Sequence, residues 1–131
     1  MIEINDSRMA SLMLDMRETA QTEILPRFGA IAADAIRTKT APDDLVTDAD
    51  IGAERMLGER LDHLFPGIVI VGEEAVSDDR DILDKIGSTN LVAIIDPVDG
   101  TWNFAHGVPL FGSILAIVSK GQTVAGLIHY P

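Results

Sequence analysis

The spacing of hydrophobic residues predicts two helices in the first half of the chain. Near the start, apolar residues recur about every 3.6 positions, Asn5 offers an N-cap side chain, and Pro26 ends or kinks the run because proline lacks a backbone donor. The members of this stripe are Met9, Leu12, Met13, Met16, Ala20 and Ile24. A second helix is predicted over Asp48–Leu64, where Thr47 and Asp50 have the spacing of a capping box.

The second half of the chain predicts strands, since its apolar runs are short, β-branched and bounded by turn residues. A polar stretch between the first two runs, Val76–Ser88, predicts a loop with a short helix. The predicted strands are Ile68–Val71, Leu91–Ile95, Phe111–Ser119 and Thr123–Tyr130, the last two forming a hairpin. Helices followed by mainly antiparallel strands indicate an α+β fold.

The composition of the chain argues against several classes of function. The chain has 131 residues and a net charge of −11, which argues against nucleic-acid binding and against docking on an anionic membrane. With no cysteine there is no disulfide, thiolate zinc site or cysteine nucleophile. No apolar run approaches the roughly 18–20 residues that span a bilayer, and no signal peptide opens the sequence, so a cytoplasmic domain is expected.

Carboxylates follow the apolar runs at three places. Glu73 and Glu74 come after the first predicted strand, Asp96 comes after the second, and Asp50 lies near the start of the second helix. If these ends converge, two charges about 4 Å apart repel by roughly 4 kcal/mol at an effective dielectric constant of about 20. Such a cluster must take up protons or hold cations, and oxygen ligands without cysteine or suitably spaced histidine favour Mg²⁺.

The segment Asp96–Thr101 has the residues that phosphate chemistry needs. Asp96 and Asp99 are placed to ligate adjacent metals, with the Val98 carbonyl at another position. Gly100 allows close backbone approach, and Thr101 offers an N–H and a hydroxyl group, which suit a phosphate oxygen if a helical turn starts there. These features predict hydrolysis of a phosphate monoester, with metal ions activating water and stabilising the leaving oxygen.

Gly72-Glu73-Glu74, followed by Asp96–Thr101 and preceded by Asp50, resembles the inositol monophosphatase family of Mg²⁺-dependent, lithium-inhibited phosphatases. The resemblance runs from about Lys39 to the end. It implies a layered αβαβα sandwich, with an antiparallel sheet and two main helices in the part seen here. Residues 1–131 would form its N-terminal metal- and phosphate-binding domain, and the family's homodimers imply a second copy as partner.

The resemblance also implies roles for single residues. Two or three Mg²⁺ ions would be held by Glu73, Asp96, Asp99 and the Val98 carbonyl. Thr101 with Asp50 would orient the attacking water, assisted by Glu73. Contacts with the substrate phosphate would come from Glu73, Val98, Asp99, Gly100 and Thr101. A weaker metal position would lie near Asp44, Glu74 and Lys39.

The sequence departs from the family in two respects. Members carry a second, C-terminal domain whose Trp-Asp motif completes the metal site; that part is not in this sequence, so the chain alone is expected to be weak or inactive. Trp102 stands where many relatives have threonine. The run Trp102-Asn103-Phe104 nevertheless favours inositol monophosphate over the nucleotide and histidinol phosphate branches.

Other interpretations remain open. A related enzyme for fructose 1,6-bisphosphate, a nucleotide or histidinol phosphate would share these acids. A dehalogenase-type phosphatase would use Asp96 as a nucleophile, but in that class the two aspartates are one residue closer together in the sequence than Asp96 and Asp99 are here. The segment is also compatible with an ordinary turn, and the chain with a truncated metal-binding or dimerisation module. Three further acids, Glu54, Glu59 and Asp62, are interpreted as a solvated helix face.

Overall fold

The computed structural model describes residues 3–29, 36–38 and 45–131. Two candidate residues, Lys39 and Asp44, lie outside these ranges. The helices are α1 (Asp6–Thr19), α2 (Asp48–Leu64), α3 (Glu73–Asp78), α4 (Lys85–Ser88) and α5 (Thr101–Ala105). The strands are β1 (Ile36–Thr38), β2 (Leu45–Thr47), β3 (Val69–Gly72), β4 (Val92–Asp99), β5 (Gly112–Ser119) and β6 (Gln122–His129).

Both predicted long helices are present. Asn5 caps α1 by accepting a hydrogen bond from the Arg8 amide at 3.0 Å, and the helix continues through a π-helical turn at Ala20–Ile24. A 3₁₀ turn containing Pro26 then ends it, as expected for a residue with no amide donor. The start of α2 has the predicted capping box between Thr47 and Asp50. Among the described helices, none is both long and apolar enough to cross a bilayer.

The main sheet has the order β3-β4-β5-β6 and confirms the α+β class. It is mixed rather than wholly antiparallel, because β3 and β4 run parallel. The segment between them is a crossover through α3, a 3₁₀ turn at Arg80–Asp84 and α4, which returns the chain to the end where β3 began. The stretch Val76–Ser88, predicted as a loop with a short helix, is therefore more helical than expected.

Most ends of the predicted strands differ from expectation by one residue, and two of the differences have a clear structural cause. The strand expected to end at Ile95 continues to Asp99, because the ladder with β5 resumes beyond a bulge between Asp96 and Asp99. The hairpin turn occupies Lys120 and Gly121, both with positive φ, and β6 begins at Gln122. Two such residues match the twist of paired antiparallel strands.

The core lies between the sheet and the two long helices. Its buried members from both layers are Leu12, Met16, Leu57, Leu61, Phe65, Ile68, Ala93, Ile95, Leu115 and Ile117. A second apolar cluster lies beside the beginning of α2 and includes Val98, Phe104 and Phe111, with Phe104 and Phe111 packed edge to face at 5.0 Å. This cluster packs beneath the end of β4 and fixes where the acidic segment lies.

Candidate active site

The parallel pairing of β3 and β4 brings two acidic segments together. Gly72 lies opposite Ile95 in the ladder, so the next residues along the two strands, Glu73 and Asp96, emerge side by side. Their carboxyl groups are hydrogen-bonded to each other. The predicted convergence of these strand ends is therefore present.

The Asp96 carboxyl is held in an environment that disfavours its charge. Burial, the hydrogen bond with Glu73 and the charges of Glu73, Asp99 and Asp50 raise the pKa of Asp96 to about 8. Its Oδ1 atom is buried and has no hydrogen-bond partner. A buried acceptor with no donor is costly, and a cation would satisfy it.

Asp50 connects the start of α2 to the segment after β4. Its side chain is 0% exposed. Oδ2 accepts hydrogen bonds from the Thr47 amide at 2.8 Å and the Thr47 hydroxyl at 2.7 Å, while Oδ1 accepts from the Thr101 hydroxyl at 2.9 Å. One carboxylate thus caps its own helix and anchors the first residue of α5.

The Thr101 hydroxyl lies between two acceptors. Its oxygen is 2.9 Å from Asp50 Oδ1 and 2.9 Å from the Val98 carbonyl oxygen. Because a hydroxyl group has one proton, it donates fully to only one of them at a time. Its oxygen keeps lone pairs that can accept a hydrogen bond from a third group, such as water.

The turn between β4 and α5 requires glycine at position 100. Gly100 has φ +90°, and a Cβ there would lie 2.9 Å from the Leu110 carbonyl oxygen. Two side chains fasten the same turn: Ser113 donates to the Pro97 carbonyl at 2.7 Å, and Asn103 donates to the Leu110 carbonyl at 3.0 Å. The backbone around Asp99 is therefore closely constrained.

The chemistry of the residues fits a hard cation such as Mg²⁺, since they offer carboxylate and carbonyl oxygens and one of these, Asp96 Oδ1, is buried without a hydrogen-bond partner. Within residues 3–29, 36–38 and 45–131, however, no group of three histidine, aspartate or glutamate side chains is close enough to hold a metal by itself. Glu73 and Asp96 are paired, whereas Asp99 is exposed. Ligation by all three would need the side chains to rearrange.

Glu54 is the residue that sequence reasoning misplaced. Glu59 and Asp62 are exposed, as expected of a solvated face, but Glu54 is partly buried and accepts a hydrogen bond from the Glu74 amide at 2.9 Å. Burial raises the pKa of Glu54, although backbone donors oppose the rise. The missed signal is helical spacing: Asp50 and Glu54 continue the buried stripe that contains Leu57.

Beside this site, Trp102 lies on the solvent side of α5. It is 46% exposed and stacks on the ring of His106, with the two ring centroids 3.9 Å apart. The Nδ1 atom of His106 is 2.7 Å from the Trp102 carbonyl oxygen. This aromatic pair follows the acidic segment directly in the chain.

Comparison with known proteins identifies one family. The model of the inositol monophosphatase family matches residues 7–131. Curated relatives include the fructose-1,6-bisphosphatase/inositol-1-monophosphatase of Thermotoga maritima, 38% identical over 98 residues, which are 75% of this chain and 35% of the relative. A histidinol-phosphatase of Chlorobaculum parvum is 34% identical over 121 residues, 92% of this chain and 43% of that protein.

Solved structures show the same fold. The extragenic suppressor protein suhB of Bartonella henselae superposes with a TM-score of 0.76 at 26% identity, covering 96% of this chain and 45% of that one. The Thermotoga maritima IMPase TM1415 also gives a TM-score of 0.76, at 30% identity, and the match covers 97% of this chain and 45% of that one. The chain thus spans about a third of the first curated relatives and just under half of the solved chains.

Proposed function

The chain belongs to the inositol monophosphatase family, and on that premise we propose that it forms the metal- and phosphate-binding part of a Mg²⁺-dependent phosphate monoester hydrolase. The observation that carries the proposal is the buried Asp96 Oδ1, which has no partner and lies beside the carboxyl of Glu73. Two neighbouring carboxylates, one of them with a buried oxygen that has no partner, are costly when no positive charge is near. A divalent cation bound beside them would offset this cost.

The proposed ligands are the carboxylates of Glu73, Asp96 and Asp99 and the carbonyl of Val98. Bound Mg²⁺ lowers the pKa of a water molecule and polarises phosphoryl oxygens. The chain's part is to hold these oxygens in place, which the bulge of β4, the constrained Gly100 turn and the parallel register of β3 all support. The proposed number of ions is two or three.

Thr101 and Asp50 are proposed to orient the attacking water. When the Thr101 hydroxyl donates to Asp50 Oδ1, its oxygen can accept a hydrogen bond from a water molecule. Because Asp50 is fully buried and held by Thr47, the hydroxyl is kept in one position. Glu73 is proposed as the group that assists in taking up the proton of this water.

The amide groups of Gly100 and Thr101 are the proposed contacts for the phosphate. The left-handed conformation at Gly100 turns the backbone directly after Asp99, so the amides and the carboxylates stay within one short segment. A phosphate ester bridging this segment would meet donors from the turn and cations held by the acids. The substrate is therefore proposed to be a small phosphate monoester.

Inositol monophosphate is the proposed substrate, supported by the Trp102-Asn103-Phe104 run and by relatives named inositol-1-monophosphatase, such as that of Mycobacterium leprae. Histidinol phosphate is the second candidate, because histidinol-phosphatase relatives align with 92% and 97% of this chain. Fructose 1,6-bisphosphate is the third, from the Thermotoga maritima relative's name.

The chain's coverage of its relatives bears on activity. Since it spans just under half of the solved chains, we propose that the remaining ligand and most contacts with the alcohol come from a second domain, and that residues 1–131 alone turn over slowly or not at all. Assembly as a homodimer is proposed on the family resemblance.

The test is phosphate release from a panel of inositol monophosphate, histidinol phosphate and fructose 1,6-bisphosphate, with and without Mg²⁺. It is run on this chain alone and on this chain fused to the C-terminal domain of the Thermotoga maritima relative. We expect Mg²⁺-dependent release by the fusion and its loss in Asp96→Asn. Release that is independent of Mg²⁺, or that survives Asp96→Asn, would contradict the proposal.

A further inference from the structure

We propose that Glu54 is a positioning residue for Glu73: its carboxylate, reaching across from α2, holds the first turn of α3 and so sets where the Glu73 side chain emerges beside Asp96. This inference rests on the proposed function, because Glu54 can affect metal binding in this way only if Glu73 is a metal ligand.

The first support is that the N-terminus of α3 needs a hydrogen-bond acceptor. The first amides of a helix have no partner within the helix and need an acceptor from elsewhere. The residue before α3 is Gly72, which has no side chain to offer, and no side-chain cap is made there. Glu54 supplies the acceptor instead, taking hydrogen bonds from the amides of Glu74, at 2.9 Å, and Ala75.

The second support is the shape of the chain at Gly72. Its backbone is extended, with φ −98° and ψ 157°, so any residue could adopt it. A Cβ at this position would nevertheless overlap the carboxyl group of Glu54, and the side chain of Glu54 supplies all three of the nearest atoms. Glycine at position 72 therefore leaves space for the carboxylate of Glu54, and its backbone conformation does not itself require glycine.

The third support is the geometry of α2. Asp50 and Glu54 are four residues apart, hence one above the other on the same helix face. Asp50 holds the start of α5 after β4, through Thr101. Glu54 holds the start of α3 after the neighbouring strand β3. One helix thus fastens both acidic segments, and the distance between Glu73 and Asp96 depends on both fastenings.

The test uses three substitutions at position 54 that separate acceptor, charge and reach. Glu54→Gln keeps a carbonyl oxygen at the same distance but removes the charge. Glu54→Asp keeps the charge but is one methylene shorter, and Glu54→Ala removes both. Glu59→Ala, on the exposed side of the same helix, is the matched control.

Two quantities are measured on the 131-residue chain: the hydrogen-exchange rates of the Glu74 and Ala75 amides by NMR, and the dissociation constant for Mn²⁺ by calorimetry. For Glu54→Asp and Glu54→Ala we expect faster exchange at both amides and Mn²⁺ binding weakened about tenfold, as is typical when a group that orients a metal ligand is removed. Glu54→Gln and Glu59→Ala should stay close to the unsubstituted chain.

Gly72→Ala provides a second route that leaves Glu54 itself intact. It should displace the Glu54 carboxylate and reproduce the effects of Glu54→Ala on exchange and on Mn²⁺ binding. In the Glu54→Ala background it should add little further effect, because the atoms it meets are gone. Additive effects of the two substitutions would overturn the spatial argument.

The outcomes separate the two proposals. If Glu54→Ala and Glu54→Asp behave like Glu59→Ala, the positioning role is wrong. If Glu54→Gln weakens Mn²⁺ binding as much as Glu54→Ala does, the charge is what matters, and the positioning role is again wrong. Glu73→Ala tests the premise: if it leaves Mn²⁺ binding unchanged, the ligand assignment in the proposed function fails, whereas the amide exchange still reports whether Glu54 holds α3.

Discussion

The two strands that meet at the candidate site end in different ways. β3 passes into α3 without an intervening residue, through Gly72 in an extended conformation. β4 instead carries a bulge between Asp96 and Asp99 and then turns through a left-handed glycine before α5 begins. The first junction is short and simple, and the second is longer and held at several points.

The supports of the two junctions differ accordingly. After β4, the turn is fixed by the buried Asp50 and by the hydroxyl of Ser113 on the Pro97 carbonyl. After β3, the first amides of α3 donate to a partly buried side chain from another helix, Glu54. The β4 junction is thus held by contacts from α2 and from β5, whereas the start of α3, and with it Glu73, is held by Glu54 of α2.

The largest expected effect comes from removing the fastening of the β4 junction. Asp50→Ala should lower the free energy of unfolding by about 3 kcal/mol, because it removes a helix cap and leaves buried donors of Thr47 and the Thr101 hydroxyl without their acceptor. Urea denaturation followed by circular dichroism measures this change.

Asp50→Asn is the matched control. Its amide oxygen can accept from the Thr47 amide and hydroxyl, and its NH₂ can donate to Thr101 while that hydroxyl donates to the Val98 carbonyl. We therefore expect a loss below about 1 kcal/mol. An equal loss for Asn and Ala would show that Asp50 stabilises by its charge and not by this hydrogen-bond network.

The next effect concerns the left-handed turn. Gly100→Ala should cost about 2–3 kcal/mol, because alanine pays for the positive φ and its Cβ would lie 2.9 Å from the Leu110 carbonyl oxygen. Gly107→Ala is the control: Gly107 also has positive φ, +73°, but a Cβ there meets nothing within 4 Å. Its cost should be about 1 kcal/mol.

The difference between the two alanine variants, read from thermal or urea unfolding, isolates the contribution of the close approach between positions 100 and 110. Equal losses would mean that the turn relaxes away from Leu110 and that the β4 junction is less constrained than the contacts indicate.

The smallest loss of stability is expected from the hydrogen bond that Ser113 makes to the same junction. Ser113→Ala removes the 2.7 Å hydrogen bond to the Pro97 carbonyl and should cost about 1 kcal/mol, the usual net value of a buried neutral hydrogen bond. Ser119→Ala, at the far end of β5 and partly exposed, is the control and should be close to neutral. A loss at Ser113 as large as that of Asp50→Ala would make this serine the main support of the turn.

Much of the fold was predictable because its elements carry strong local signals. The stripe from Met9 to Ile24, the capping box of Thr47 and Asp50 and the β-branched runs each report on their own neighbourhood. The parallel direction of β3 and β4 was not predictable from these signals, since it depends on how the crossover through α3 and α4 folds back.

The site was predictable where a motif is contiguous, as for Asp96–Thr101, and where two strand ends meet. Glu54 was misplaced because its acceptor role depends on the amides of another helix. Helical spacing shows only that it lies on the same face of α2 as Asp50 and Leu57. The family resemblance of the acidic segments is confirmed by the match over residues 7–131. The roles of the individual residues in catalysis stay predictions.

The most direct test of the central claim, that the carboxylates of Glu73, Asp96 and Asp99 hold a divalent cation, is titration of the chain with Mn²⁺ followed by NMR. Paramagnetic broadening should begin at the amides of Glu73, Asp96 and Asp99, and it should disappear in Asp96→Asn while the remaining spectrum keeps its folded dispersion. Broadening that starts elsewhere, or that is unchanged in Asp96→Asn, would contradict the account.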